Sequence, residues 1–123
     1  MKAISLHQPW ASLIAKGQKT IETRFWPTRY RGDLLIVSTK KPKFQDYPLG
    51  KALCIVRVTG CRRMTVSDEE KAQCLWEYGK WAWELSDMRP IEPFDVKGQQ
   101  GFYEVDMEVP VKEARAGQGA LFE

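Results

Sequence analysis

The fold is organised around one eight-residue stretch, Gly17-Gln18-Lys19-Thr20-Ile21-Glu22-Thr23-Arg24. Gly17 follows a helical pattern, and glycine adopts at little cost the left-handed conformation that ends a helix. The segment Thr20–Arg24 alternates β-branched with charged side chains, which predicts a strand. Because side chains along a strand alternate between its two faces, Glu22 and Arg24 share one face, and Lys19 lies at the corner before them.

A lysine, a glutamate and an arginine in one cleft can do three things. The cations can neutralise a phosphate, the carboxylate can accept a hydrogen bond from the exocyclic amine of a base, and a desolvated Lys19 can act as a base. The alternative is a structural ion pair between Glu22 and Arg24 at a strand end, worth about 0–1 kcal/mol if exposed. Both interpretations stay open on the residue types alone.

Outward from this stretch, the hydrophobic pattern predicts up to six strands and two helices. The predicted strands are Lys2–Leu6, Thr20–Arg24, Leu34–Ser38, Lys51–Arg62, Trp81–Leu85 and Phe102–Val109. The run Leu34–Ser38 is apolar on both faces, so we expect it to be a central strand that is covered on both sides. One helix begins at Gln8-Pro9-Trp10 and stops at Gly17, and a second runs from about residue 68 to Tyr78 after the capping-box spacing of Ser67-Asp68-Glu69-Glu70. Prolines predict loops over Lys40–Gly50 and Met88–Phe94.

These elements predict a small α+β protein, a β-barrel of five or six strands with two flanking helices. Closing the sheet removes the edges that a small flat sheet would expose. The length of 123 residues fits one domain, predicted over residues 1–112, with a flexible tail at residues 113–123. Within the tail, Gln118-Gly119-Ala120-Leu121-Phe122 is similar to the short peptides that dock on bacterial sliding clamps, apart from the glycine at its second position.

Charge is divided unevenly along the chain. Residues 1–63 contain thirteen Lys or Arg and three Asp or Glu, a net charge of +10, whereas residues 64–123 contain six and thirteen, a net charge of −7. This division predicts a surface that faces a polyanion, unless the two halves interleave in the fold. Trp26 and Tyr30 stand among Arg24, Arg29 and Arg31, and such interleaving suits stacking on unpaired bases.

Several classes of protein are disfavoured by what the chain contains. The apolar runs are too short for a signal peptide or a membrane span. Cys54, Cys61 and Cys74 lack CxxC spacing, and His7 is the single histidine, which argues against a disulfide framework, a metal site and a Ser-His-Asp triad. We therefore expect a cytoplasmic protein with no membrane span, no metal and no cofactor.

Several motifs together resemble one known family. Ser5–Ala11 is followed by the pattern GxKxxExR at Gly17–Arg24, and further similar stretches are Tyr30–Ile36, Ser38–Lys40, and Trp83–Leu85 leading into Val96–Gly98. Taken together they resemble the activating-signal-cointegrator homology (ASCH) family over roughly residues 2–110. The resemblance implies a PUA-like β-barrel with a cleft, lined by the GxKxxExR signature, that holds RNA, DNA or a nucleobase-like ligand.

The resemblance and the chemistry together give a set of expected site residues. The expected ligand-binding residues are Gln8, Trp10, Lys19, Glu22, Arg24, Ser38 and Lys40. At the start of the first helix, Gln8 can read a base edge and Trp10 can stack on it, or Trp10 can lie in the core on the apolar stripe of the helix. The expected partner is RNA or another single-stranded nucleic acid, or a nucleobase-like small molecule.

A catalytic alternative follows from the same resemblance. Some small ASCH proteins resemble amidohydrolases that deacetylate acetylcytidine, using the signature lysine to activate a threonine at the position of Glu22. A carboxylate cannot replace that hydroxyl in an ordinary acyl-enzyme ester. Catalysis here would require Glu22 to activate water while Lys19 stabilises the oxyanion.

Overall fold

The computed structural model describes residues 1–106 as a mixed six-stranded sheet with two short helices. Its elements are β1 (Lys2–Leu6), α1 (Trp10–Ala15), β2 (Ile21–Arg24), β3 (Gly32–Ser38), β4 (Lys51–Arg63), a 3-10 turn (Val66–Asp68), α2 (Glu69–Ala72), β5 (Trp81–Asp95) and β6 (Tyr103–Glu104). The α+β prediction is confirmed. The predicted domain boundary at residue 112, the tail 113–123 and the clamp-like peptide Gln118–Phe122 lie outside the described residues.

The sheet has the strand order β2-β5-β4-β3-β1-β6, in which β1 and β3 are parallel and the other neighbours are antiparallel. The edge strand β2 nevertheless approaches β1, since Arg24 Nη2 donates to the Ser5 carbonyl oxygen at 3.3 Å. A flat sheet would hold these strands four positions apart, so the sheet curls toward a barrel. In residues 1–106, β2 and β1 do not pair with each other through backbone hydrogen bonds, and the candidate site lies in the gap between them.

Apolar side chains are buried on both faces of the curled sheet. In β3, Leu34 and Ile36 join a cluster with α1 and Trp83, whereas Leu35 and Val37 join a second cluster on the opposite face. The alternation follows from the two-residue period of a strand. The sequence prediction that this run is central and covered on both sides is confirmed, because β3 lies between β4 and β1.

The predicted second helix is too long. The observed α2 ends at Ala72, because Gln73 takes a left-handed conformation with φ of 57°. The capping box also lies two residues earlier than predicted: Thr65 and Asp68 cap the 3-10 turn, with Arg62 holding Asp68 by two hydrogen bonds of 2.8 and 2.9 Å. These bonds hold the pKa of the Asp68 carboxyl well below its usual range.

The predicted loop over Met88–Phe94 is wrong, since β5 continues through it to Asp95. Proline removes a ladder donor and is tolerated at sheet edges and bulges. Pro90 and Pro93 occupy such positions: β2 covers only Trp81–Glu84 of β5, and the β4–β5 register is irregular nearby, between Ala52 and Cys54. Of the predicted last strand, Tyr103–Glu104 is observed, and residues 107–109 lie outside the described range.

In residues 1–106, we find no helix long and apolar enough to cross a membrane. The cytoplasmic location stays a prediction.

Candidate functional site

The opening between β1 and β2 forms a cleft of about 860 Å³. Its walls come from the ends of strands and from the loops that follow them. The lining residues are Ser5, Leu6, His7, Trp10, Lys19, Glu22, Thr23, Arg24, Trp26, Thr39, Cys74, Lys80, Gln99, Gln100 and Gly101. A cleft of this size lies within the range typical of small-ligand sites.

Lys19 reaches the cleft from the corner between α1 and β2. Gly17 has a φ of +78°, and the chain turns so that the Lys19 amide still donates to the Leu13 carbonyl at 3.1 Å. The Lys19 side chain is 1% exposed, and its Nζ donates to the Ala72 carbonyl at 2.5 Å and lies 3.5 Å from Glu22 Oε1. Burial lowers the pKa of Lys19 from its ordinary value, and the neighbouring carboxylate only partly opposes that shift.

Glu22 and Arg24 lie together as the strand pattern predicts. Arg24 Nε donates to Glu22 Oε2 at 2.8 Å, so the two carboxylate oxygens face two different cations. Trp83 is the cross-strand partner of Glu22, and its side chain therefore lies on the same face of the sheet. The Arg24 guanidinium carbon lies 6.0 Å from the Trp83 ring centroid and 5.8 Å from that of Trp26.

Two tryptophans belong to the cleft walls. Trp10 is 37% exposed, and its Nε1 donates to the Gln73 carbonyl at 3.2 Å. The interpretation of Trp10 as a core residue is wrong, because Ala11 and Ile14 form the buried stripe of α1 instead. Trp26 is 52% exposed and is the second residue after the end of β2.

Three of the expected site residues do not line this cleft. Gln8 is buried and its amide is used within the protein: Oε1 accepts from the Ser12 amide at 2.9 Å, and Nε2 donates to Ser12 Oγ and to the Pro48 carbonyl, both at 2.8 Å. Ser38 is also buried and bonds the backbone of Lys51. Lys40 is exposed, and its stem lies against Gly50.

The cleft also includes residues that sequence reasoning did not select. Lys80 and Cys74 arrive from the segment after α2, with 3.9 Å between Lys80 Nζ and Cys74 Sγ. Gln99 and Gln100 come from the loop before β6. No periodic pattern links these positions to Gly17–Arg24, because the curl of the sheet brings them there. His7, the single histidine, also lines the cleft, and its Nδ1 lies 2.9 Å from Thr39 Oγ1.

Tyr30 is not brought to the cleft. Its hydroxyl donates to the Asp33 carbonyl, and its ring packs against Phe102 with the centroids 5.6 Å apart. Of the two aromatics predicted to stack on bases, the structure therefore brings only Trp26 to the cleft.

The curled mixed sheet, with α1 packed against its strands and the cleft at its open side, defines a PUA-like domain. The chain belongs to the ASCH domain family, whose model matches residues 4–95. That family has a PUA-like fold and is proposed to bind RNA.

Individual relatives agree with this assignment. Over 44 residues, the chain is 52% identical to human (Homo sapiens) Activating signal cointegrator 1 and 50% identical to the mouse (Mus musculus) protein of the same name. That alignment covers 35% of this chain and 8% of each curated relative, so the chain spans only a small part of their length.

Solved structures support the fold over almost the whole chain. The crystal structure of ASCH from Zymomonas mobilis matches with a TM-score of 0.65 and 16% identity, covering 98% of this chain and 93% of that one. A mutant of the same Zymomonas mobilis protein matches with a TM-score of 0.62 and 15% identity, covering 98% and 96%. At this identity, the likeness shows the fold alone.

Proposed function

We propose that this protein is a binding module for single-stranded nucleic acid, with RNA as the favoured ligand, and that a base or modified base enters the cleft between β1 and β2. The observation that carries the proposal is the cluster of Lys19, Glu22 and Arg24 in the cleft wall, with Trp10 and Trp26 beside it. A nucleotide presents a flat ring, polar base edges and a phosphate, and this cleft has a group suited to each.

The polar cluster retains hydrogen-bonding capacity for a ligand. A guanidinium has five N–H donors, and the two hydrogen bonds described for Arg24 go to Glu22 and to the Ser5 carbonyl. The Glu22 carboxylate has about four acceptor sites, so it can take a further hydrogen bond from an exocyclic amine. Both groups are partly buried, which strengthens polar contacts made there.

The exposed tryptophans can stack on the flat ring of a base. Trp26 is half exposed on the cleft, and Arg24 lies over its ring at 5.8 Å. Stacking of a base on an aromatic ring is worth about 1–3 kcal/mol and tolerates different bases. The proposal therefore favours unpaired nucleotides, because a base inside a duplex does not offer its face.

Arg24→Ala is expected to weaken binding of a fluorescent single-stranded RNA about 30-fold, because it removes a partly buried cation and its hydrogen bonds. Fluorescence anisotropy at two or more salt concentrations would measure both the affinity and its salt dependence. Arg57→Ala is the matched control, since Arg57 is exposed on β4 and does not line the cleft. Equal losses in the two variants, or tight binding to a free nucleoside without affinity for oligonucleotides, would contradict the proposal.

A second candidate function is hydrolysis of an acylated nucleoside such as acetylcytidine, favoured by the buried Lys19 beside Glu22 in the cleft. Glu22 would take a proton from water, the resulting hydroxide would attack the acetyl carbonyl, and the Lys19 ammonium would stabilise the oxyanion. Collapse of the tetrahedral intermediate breaks the bond between the acetyl carbon and the exocyclic nitrogen while Glu22 returns its proton to that nitrogen, so that acetate and cytidine are released.

Under this mechanism, Lys19→Met and Glu22→Gln each lower acetylcytidine turnover about 100-fold or more. The wild-type rate falls as the pH rises through the native pKa of Lys19, because the neutral amine no longer stabilises the oxyanion; burial places that pKa below 10.5. Product formation followed by chromatography, with Arg57→Ala as the control, measures both effects. Indistinguishable rates in wild type and the two cleft variants would exclude hydrolysis at this site.

A further inference from the structure

Three aromatic side chains near the cleft are left largely exposed. Phe25 is 57% exposed, Trp26 is 52% exposed and Tyr78 is 88% exposed. Exposed apolar groups that gather in one place mark interaction surfaces, whereas single ones need no explanation. These three rings therefore mark an interaction surface only if they adjoin the cleft and one another.

Contacts around Lys80 make that connection. Lys80 lines the cleft, and its Nζ lies 5.9 Å from the centroid of the Phe25 ring. The Phe25 ring in turn lies against the backbone of Gly79, where a Cβ would be 3.7 Å from Phe25 Cδ1. Tyr78 is the neighbouring residue in the chain. The surface thus continues from the cleft through Lys80 and Phe25 to the segment that carries Tyr78.

Cations accompany these rings in a way that suits nucleotides. Lys80 Nζ is held by the Leu75 carbonyl at 3.3 Å, which places a positive charge between the cleft and Phe25. Arg24 lies 5.8 Å from the Trp26 ring on the cleft side. Alternating rings and cations match a single strand, in which bases stack on aromatic side chains while the phosphates between them lie near positive charge.

We propose that Phe25 and Tyr78 form a stacking surface, the aromatic rim, that continues from Trp26 in the cleft wall and binds the nucleotides next to the one held in the cleft. The ligand is then a single strand of several nucleotides rather than a free nucleoside, and the phosphate between cleft and rim lies at Lys80. This inference rests on the proposed function and names the class of ligand for the same site.

The test compares uridine monophosphate with oligouridylates of two, four and six nucleotides. Affinity is expected to rise with length until the rim is covered. Phe25→Leu and Tyr78→Ala each weaken hexanucleotide binding about tenfold and leave monophosphate binding unchanged, because each removes one stacking ring outside the cleft. Tyr78→Phe keeps the ring and retains wild-type affinity. Leu75→Ala, which shortens a 74% exposed apolar side chain of the same loop, has no effect.

Lys80→Ala is expected to reduce the slope of log affinity against log salt concentration by about 0.7, the value for one phosphate contact on a single strand. If Arg24→Ala weakens binding while the hexanucleotide binds no better than the monophosphate, the rim proposal is overturned and the proposed function stands. If no oligonucleotide binds, both fail. If Phe25→Leu abolishes concentration-dependent self-association in sedimentation velocity and leaves RNA binding intact, the rim belongs to a second copy of the chain, which also overturns the proposal.

Discussion

Glu22→Gln is expected to lower the free energy of unfolding by about 3 kcal/mol, because removing one partner of a buried ion pair leaves the other charge uncompensated. The Lys19 side chain is 1% exposed and lies 3.5 Å from the Glu22 carboxylate. Glutamine keeps the shape and one acceptor for Arg24 but carries no charge. Urea denaturation followed by tryptophan fluorescence measures the loss.

The destabilisation caused by Glu22→Gln is expected to decrease as the pH rises. Without the carboxylate, the native pKa of Lys19 falls further below its ordinary value of 10.5. The unfolded chain then binds more protons than the native protein over a wider pH range, so the stability of the variant begins to rise at a lower pH than that of the wild type. The difference in free energy of unfolding between the wild type and Glu22→Gln therefore becomes smaller as the pH rises toward about 10.

Glu104→Gln is the matched control for this experiment. Glu104 also faces two cations, the chain amino group at 3.3 Å and Lys2 Nζ at 3.6 Å, but its side chain is 67% exposed. Its loss is expected to cost less than about 1 kcal/mol. Equal destabilisation by the two substitutions would show that burial does not set the strength of the Glu22 cluster.

Trp83→Ala is expected to destabilise the protein by about 4 kcal/mol, because it opens a large cavity in the main core cluster. Trp83 is 1% exposed, and its Nε1 donates to the Trp26 carbonyl at 3.2 Å. Its ring also supports Arg24 at 6.0 Å, so RNA affinity should fall along with stability. Thermal unfolding and the anisotropy assay measure the two effects.

Trp83→Phe keeps most of the packing and loses the hydrogen bond to the Trp26 carbonyl, at a cost of about 1–2 kcal/mol. This variant tests the role of Trp83 even if the alanine variant does not fold. Trp76→Ala is the control in another part of the molecule, since Trp76 is 41% exposed and its Nε1 bonds the Met64 carbonyl. We expect Trp76→Ala to lower the free energy of unfolding less than the Trp83 variants do, and a larger loss from Trp76→Ala would contradict the role given to Trp83.

Local patterns were sufficient for most of the sheet and for the corner at Lys19. Alternation of side chains predicted β1, β2, β3 and β4 to within one or two residues, and the apolar run of β3 predicted its central place. The left-handed Gly17 ends α1 as expected. These features depend on backbone sterics and on burial of one face or both, which neighbouring residues determine.

Two errors have the same origin in tertiary contacts. Pro90 and Pro93 argued against a strand, but β5 extends beyond β2 there and needs no partner on that side. The capping spacing occurs twice, at Thr65 and Asp68 and again at Ser67 and Glu70, and the local sequence does not choose between them. Arg62, at the end of β4, stabilises the capping box of Thr65 and Asp68 because it donates two hydrogen bonds to Asp68.

The sequence by itself determined that Glu22 and Arg24 lie on one face of a strand with Lys19 at the corner, because the period of a strand and a glycine stop are local properties. Only the tertiary structure decided which residues join them. The curl of the sheet brings β2 beside β1 and adds Cys74, Lys80 and the loop at Gln99–Gly101 to the cleft, whereas Gln8 and Ser38 are occupied by internal hydrogen bonds. Cleft membership depends on distances between residues far apart in the chain, and no local pattern encodes those distances.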